Sequence, residues 1–318
     1  MKLATFIRAD TTRALGVLIG DGMLDLAAAD PANPAFASML ALIAAGPEAL
    51  TAASELAERA AKPEPGWEIA RHLIPAPQAP LLAPIPRPAK NVFCVGLNFR
   101  SHVEQNAIAL GQPVEIPDIP LFFSKPVTAV TGPNTPIRLD ERLTGKLDWE
   151  VELTMVIGAG GTWIGEDEAE RHIFGYTIVN DISARDLQWR TSQFLYGKGQ
   201  DTYCPMGPVI VTADEMPELA DIEVELLVNG EVMQRESAGH MLFRPARVIA
   251  ELSKGITLEP GDVITLGTPG GCGYQMLPPR FLKAGDIVEC RAGAIGSLVN
   301  TVALTDHPGA TAVPYPVR

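Results

Sequence analysis

Cysteine is scarce and scattered: Cys94, Cys204, Cys272 and Cys290 are the only four, and no C-x-x-C pair brings two of them together. That spacing excludes a zinc knuckle and a disulfide framework, and leaves buried, reduced thiols as the default. Net positive charge is also missing. The formal charge is −13, and no basic stripe exists to follow a phosphate backbone, so nucleic acid is excluded as the partner. An acidic chain can still hold an anion through a metal and a few placed cations. No apolar run approaches the roughly 18 residues a membrane span needs. The first residues, Met1 to Arg8, lack the apolar core of a signal peptide. The sequence therefore predicts a protein of the cytoplasm with no membrane partner.

What is present is a sizeable core: 47% of the 318 residues are hydrophobic and 20% charged, a balance that argues against disorder. Residues 1–70 read as a small N-terminal α+β domain. Two strands are predicted, Leu3–Arg8 and Ala14–Ile19, with a Gly20-Asp21-Gly22 turn before Met23 to Leu26, and helices over 35–61 with a break at Gly46-Pro47. Residues 71–89 carry Pro75, Pro77, Pro80, Pro84, Pro86 and Pro88, which forbids a helix and reads as a semi-rigid connector or edge segment. Residues 90–318 form the body, where short apolar strands alternate with Gly/Pro turns and helical patterns are few, chiefly Glu166–Arg171 and Pro245–Ser253. That order predicts a strand-dominated α+β domain rather than a βαβ winding.

The chemistry is concentrated first in Leu147 to Gly158, an apolar strand pattern with carboxylates at alternate positions. Side chains at i and i+2 share a face, so Glu150 and Glu152 project together while Val151, Leu153 and Met155 face the other way. Two adjacent carboxylates on a buried strand repel each other and are costly to desolvate unless a cation compensates them. A second apolar strand, Ile173 to Asn180, runs into Asp181. Three oxygen donors, with no histidine or cysteine partner in the pattern, suit a hard cation such as Mg²⁺ or Mn²⁺. A solvated strand face with alternating charge is the other reading of the same spacing.

Downstream, Arg185 and Gln188 are three apart, so one helical turn places them on the same side, and Lys198 follows. These can supply donors to a substrate carboxylate or an enolate, although Arg185 equally suits an ion pair with Asp186. Asp262 to Gly273 reads as a strand entering a glycine-rich turn. It lacks the spacing and the basic residue of dinucleotide or Walker loops, and is either a tight turn or a place where amides meet an anion. His102 follows a strand–loop pattern and can serve as a general base. The remaining histidines have no such context.

Val95-Gly96-Leu97-Asn98-Phe99-Arg100-Ser101-His102, Phe122 to Pro126, Asp148 to Leu153, Asn180 to Gln188, Gly197-Lys198, Asp201 to Pro208 and Gly267-Thr268-Pro269 appear in an order that resembles the fumarylacetoacetase (fumarylacetoacetate hydrolase) family. The similarity runs over roughly residues 90–303. It implies a mixed β-roll/β-sandwich catalytic domain, a homodimer, and Mg²⁺ or Mn²⁺ on Glu150, Glu152 and Asp181. It further implies that Arg185, Gln188, Lys198 and Thr268 hold a 2-oxo or 2,4-dioxo acid. Relatives of this kind hydrolyse acylpyruvates, decarboxylate oxaloacetate, interconvert enol and keto forms, or dehydrate sugar acids, in the catabolism of aromatic or sugar acids.

Two features depart from the family pattern. One, His240 where relatives often have Asp, is expected to have no catalytic role; the other lies beside His102. Hydrolytic members pair the histidine with a glutamate three residues later; here Gln105 holds that place and the glutamate is Glu104. On a helix Glu104 points about 200° away from His102, and a glutamine takes no proton at neutral pH. The reading taken from the sequence is metal-dependent C–C hydrolysis of an acylpyruvate-type 2,4-dioxo acid (fumarylpyruvate- or fumarylacetoacetate-like). In it, His102, assisted by Glu104 or Gln105, activates water and Lys198 stabilises oxyanion charge. The alternative is a decarboxylase or enol–keto isomerase of a 2-oxo diacid, which needs the same enolate but no attacking water. A noncatalytic, metal-stabilised binding protein is the third reading.

Overall fold

The computed structural model of the protein describes residues 1–62 and 68–305. His307 and the end of the predicted body lie outside the described residues.

The strand Val151–Ile157 is buried along its whole length, as its unbroken apolar pattern requires. It sits near the middle of an 11-stranded sheet. On one side it pairs antiparallel with Ile173–Asn180, which pairs with Cys204–Thr212. On the other it pairs with Val263–Thr265, which lies parallel to Val92–Gly96; Leu121–Lys125 closes that edge. The N-terminal strands belong to the same sheet, since Lys2–Ile7 pairs with Cys204–Thr212 at Lys2↔Val211 and Leu3↔Ile210. Arg13–Ile19, Gly22–Asp25 and Leu73–Pro75 then extend it outward.

A five-stranded sheet covers one face. Its order is Glu231–Ser237, Glu223–Val228, Ile287–Ala292, Gly296–Leu304 and Ile137–Leu139. Between the sheets lies one core, holding Val151, Leu153 and Met155 with Val224, Leu226, Val288 and Leu298. The opposite face carries Val156, Val179 and Ile210 against the N-terminal helices through Leu42, Ile43 and Ala53. Alternation along one strand thus feeds two cores.

Met39–Ala45 and Pro47–Ala61 are separate helices, broken at Gly46 with φ +81° and restarted by a proline in the first turn. The proline-rich segment lies along the first strand: Ile7 donates to the Pro80 carbonyl at 2.9 Å and Leu82 donates to Thr5 at 2.9 Å. Among the described residues no single helix is long and apolar enough to cross a membrane. The helix expected at Glu166–Arg171 is instead a turn followed by a short 3₁₀ segment, Ala169–His172. Only Ala169 is buried there, so no apolar face exists to hold a longer helix. Pro245–Leu252 forms as expected and buries Val248, Ile249 and Leu252.

Candidate functional site

Glu152 projects from the strand Val151–Ile157, while Glu150 lies one residue before it. Asn180, at the end of the neighbouring strand, fixes this corner: its side-chain oxygen accepts from the Glu150 amide at 3.1 Å. The Asp181 amide donates to the Glu150 carbonyl at 2.8 Å. As a result, oxygens of Glu150, Glu152 and Asp181 all lie within 4.8 Å of one another, on side chains that are buried.

Three cations face these acids. Lys198 Nζ donates to Glu150 Oε2 at 2.9 Å, Asp181 Oδ2 at 2.5 Å and Ser183 Oγ at 2.9 Å. Lys125, also buried, is ion-paired with Asp181 and donates to the Ile182 carbonyl at 3.1 Å. Arg185 opens a single helical turn, Arg185–Gln188, and its Nη1 donates to Gln188 Oε1 at 3.0 Å. Its Nη2 lies 2.7 Å from Glu150 Oε1 and its Nε donates to Asp148 Oδ2 at 2.8 Å. The guanidinium also stacks 4.3 Å from the centre of the Tyr274 ring. Arg185 therefore pairs with Asp148 and Glu150; Asp186 instead accepts from Thr144 Oγ1 at 2.6 Å.

The charges do not balance. Burial alone would raise the Glu150 pKa, but Lys198 and Arg185 overcome it and hold the carboxyl well below its ordinary range. Glu152 goes the other way: burial, then the neighbouring charges of Asp181 and Glu150, push it well above its ordinary value. Its carboxylate accepts from the Gly267 amide at 3.2 Å, and among the described residues no lysine or arginine ion-pairs with it. Four buried acids, counting Asp148, face three buried cations. A carboxylate left in this state, within reach of two others, fits an all-oxygen site for a hard divalent cation.

His102, Glu150, Glu152, Arg185, Gln188, Lys198 and Thr268 line one cavity of about 210 Å³. Its remaining wall is largely apolar, with Leu110, Phe123, Trp189, Phe194 and Tyr274. Thr268 Oγ1 accepts from Gln234 Nε2 at 2.8 Å.

Glu104 and Gln105 do not join this group. The segment Arg100–Leu110 is a regular helix, so Glu104 turns outward to lie 3.8 Å from Arg100. Gln105 Oε1 accepts from the Gly271 amide at 2.7 Å. The expected assistance to His102 from either residue is therefore not what the structure provides. His102 Nδ1 instead meets Gln275 Nε2 at 3.1 Å and Cys272 Sγ at 3.7 Å. Burial lowers the His102 pKa to about 4, so the ring is neutral at physiological pH.

The glycine-rich turn is a hub rather than an anion cradle, because its amides are taken by side chains of the protein. Gly267 donates to Glu152, Gly270 to Ser101 at 3.0 Å, and Gly273 and Tyr274 to Asp148 at 2.7 and 3.1 Å. Glycine is required at 271, where φ is +101° and a Cβ would come within 2.2 Å of the Met233 carbonyl. Sequence reasoning missed Lys125, Asp148 and Gln275 as parts of the site. The first two had a signal, since Lys125 stands in a matching motif and Asp148 extends the acid alternation one step back. Gln275 had none.

A family model described as "Fumarylacetoacetate (FAA) hydrolase C-terminal" matches residues 91–303. The chain is 44% identical over 265 residues to "Oxaloacetate tautomerase YisK" of Bacillus subtilis (strain 168), covering 83% of this chain and 86% of the relative. In structure it is similar to fumarylacetoacetate hydrolase (EaFAH) from psychrophilic Exiguobacterium antarcticum, with a TM-score of 0.77, 34% identity, and coverage of 96% and 100%. It is also similar to maleylpyruvate hydrolase from Sphingobium sp. SYK-6 in complex with manganese(II) and pyruvate, with a TM-score of 0.74, 29% identity, and coverage of 96% and 100%. With the carboxylate corner, the buried cations and the Gly-Thr-Pro turn gathered around one cavity, the match over most of the length makes this chain a member of the fumarylacetoacetate hydrolase family.

Proposed function

We propose that the protein interconverts the enol and keto forms of a 2-oxo diacid of the oxaloacetate kind, with a divalent cation held by Glu150, Glu152 and Asp181. The observation that carries this reading is that, among the described residues, no carboxylate hydrogen-bonds to His102 Nδ1; a glutamine amide does. Hydrolysis needs a base that turns water into a nucleophile, whereas enol–keto exchange needs no attacking water: one proton leaves oxygen or carbon for an acceptor, one is returned at the other atom, and no bond between heavy atoms breaks. The similarity to an oxaloacetate tautomerase supports the same choice.

A divalent cation held by Glu150, Glu152 and Asp181 would supply Lewis-acid stabilisation for enolate charge. Arg185 and Lys198 hold positive charge at the cavity wall and orient the substrate's carboxylates, with Gln188 and Thr268 as neutral hydrogen-bonding groups beside them. Burial would lower the Lys198 pKa, but Asp181 and Glu150 raise it above the ordinary value. The ammonium therefore stays charged and acts as a fixed donor rather than a base. Phe123, Trp189 and Phe194 exclude water from the enolate.

Acylpyruvate hydrolysis is the second reading, favoured by the similarity to maleylpyruvate hydrolase. The test supplies the chain with Mg²⁺ or Mn²⁺ and follows, separately, ultraviolet absorbance of freshly dissolved enol-oxaloacetate and pyruvate release from acylpyruvates. Accelerated enol decay without CO₂ or cleavage products is expected. Cleavage that outpaces enol–keto exchange would overturn the isomerase assignment.

A further inference from the structure

We propose that Gln275 fixes His102 as the Nε2–H tautomer, so that the ring meets its ligand as a hydrogen-bond donor and not as a base for water.

The assignment follows from which donors and acceptors surround the two side chains. Gln275 Oε1 accepts from the backbone amides of Gly271 and Cys272, both at 3.1 Å. Turning the amide over would place its NH₂ group against those two donors, so its orientation is determined. Gln275 Nε2 then faces three groups: the His102 carbonyl at 3.2 Å, Tyr274 Oη at 3.2 Å and His102 Nδ1 at 3.1 Å. Tyr274 spends its own hydrogen on Asn106 Oδ1 at 2.8 Å, so its oxygen is an acceptor here. A proton on His102 Nδ1 would point at an NH₂ group whose orientation the backbone has already set. Nδ1 is therefore the acceptor.

Cys272 agrees with this assignment. Its sulfur lies 3.8 Å from Gln234 Nε2, whose amide can only donate, and its own S–H can point to His102 Nδ1 at 3.7 Å. In a neutral imidazole with an accepting Nδ1, the hydrogen is on Nε2. Among the described residues Nε2 has no hydrogen-bond partner in the protein, and the ring lines the cavity.

The chemical consequence concerns the direction of the proton. A carboxylate at Nδ1 would take the Nδ1 hydrogen and leave the Nε2 lone pair free to accept a proton from water. The glutamine reverses this polarity. His102 then offers an N–H to the oxygen on which enolate charge collects, as a neutral imidazole can do while keeping its proton. This last step rests on the enol–keto reading above, whereas the tautomer itself does not. Gln275 touches no ligand and acts through the ring, as a positioning residue.

The test uses the full chain labelled with ¹⁵N-histidine, loaded with Mg²⁺, near pH 7, with a His102→Asn spectrum to assign the resonances. In the wild type, Nδ1 is expected to give a bare, pyridine-like signal and Nε2 a protonated, pyrrole-like one. Gln275→Glu keeps the acceptor for the Gly271 and Cys272 amides, and is expected to exchange the two patterns. With the donor withdrawn, kcat for enol–keto exchange is expected to fall about 100- to 1000-fold, with KM changed far less. A wild-type signal with the proton on Nδ1, or a Gln275→Glu spectrum identical to wild type, overturns the proposal. If the tautomer is as assigned but no enol–keto exchange occurs in the wild type, the reaction assignment fails and the role of Gln275 stands.

Discussion

Glu152→Gln should gain stability over the wild type as pH rises in the absence of a divalent cation, and lose ground to it when the cation is present. In the metal-free protein Glu152 is buried beside Asp181 and Glu150, and its pKa lies well above the ordinary value. A carboxyl whose folded pKa is raised binds its proton more tightly in the folded state. Its contribution is intact below the unfolded value of about 4.3 and is lost as pH climbs toward the folded one. Over that window the wild type loses up to about 1.4 kcal/mol per pH unit relative to the variant. The variant's amide has no proton to release and so acquires no buried charge, and its side-chain oxygen can still accept from the Gly267 amide as the carboxylate does. Metal acts in the opposite direction and favours the wild type. A cation at 100 times its dissociation constant adds about 2.7 kcal/mol to the wild type, but under 0.5 kcal/mol, roughly, to a variant that binds 100-fold more weakly. Urea unfolding between pH 5 and 8, with chelator and then with excess Mn²⁺, measures both. A variant less stable than wild type in chelator at every pH, or one with the full wild-type metal increment, would refute the reasoning.

Asp148→Asn should destabilise the fold by about 3–5 kcal/mol, because it leaves the buried Arg185 with Glu150 as its one ion-pair partner and sets an NH₂ group among N–H donors. A urea midpoint close to wild type would show that Asp148 does not anchor the arginine. Glu104→Gln should change stability by less than about 0.5 kcal/mol and leave the pH–rate profile unmoved, since the side chain is 46% exposed and lies 3.8 Å from Arg100. A displaced profile would return Glu104 to His102.

The carboxylate corner was legible because strand alternation is a local rule. Glu150 and Glu152 needed only the period of two, and Asp181 only the end of the next apolar run. The pairing of Arg185 with Gln188 was likewise legible from one helical turn. Strand order was not, because pairings such as Lys2 with Val211 join residues far apart in sequence, and nothing in either segment names its neighbour. The hairpin arm Glu231–Ser237 and the last strand, Gly296–Leu304, escaped for different reasons: the first has a broken burial pattern, and in the second burial alternates but the polar Asn300 takes one of the buried places.

The partner of His102 shows the limit most clearly. A search along the helix considers i+2 and i+3, where Glu104 and Gln105 stand; a regular helix turns Glu104 away, and Gln105 accepts from the Gly271 amide instead. The residue that sets the ring is Gln275, separated from it by 173 positions, and it can do so only because the turn from Gly267 to Tyr274 folds back under the helix. That turn bonds Glu152 at one end and Asp148 at the other, between which the Gly271 and Cys272 amides fix Gln275. One backbone segment therefore positions an acid of the carboxylate corner, the anchor of the arginine and the amide beside the histidine. Its glycines are spaced for those internal contacts, which is why no nucleotide-loop spacing was present to find. A substitution in this turn should disturb all three groups together, and activity should fall faster than any single contact there would suggest.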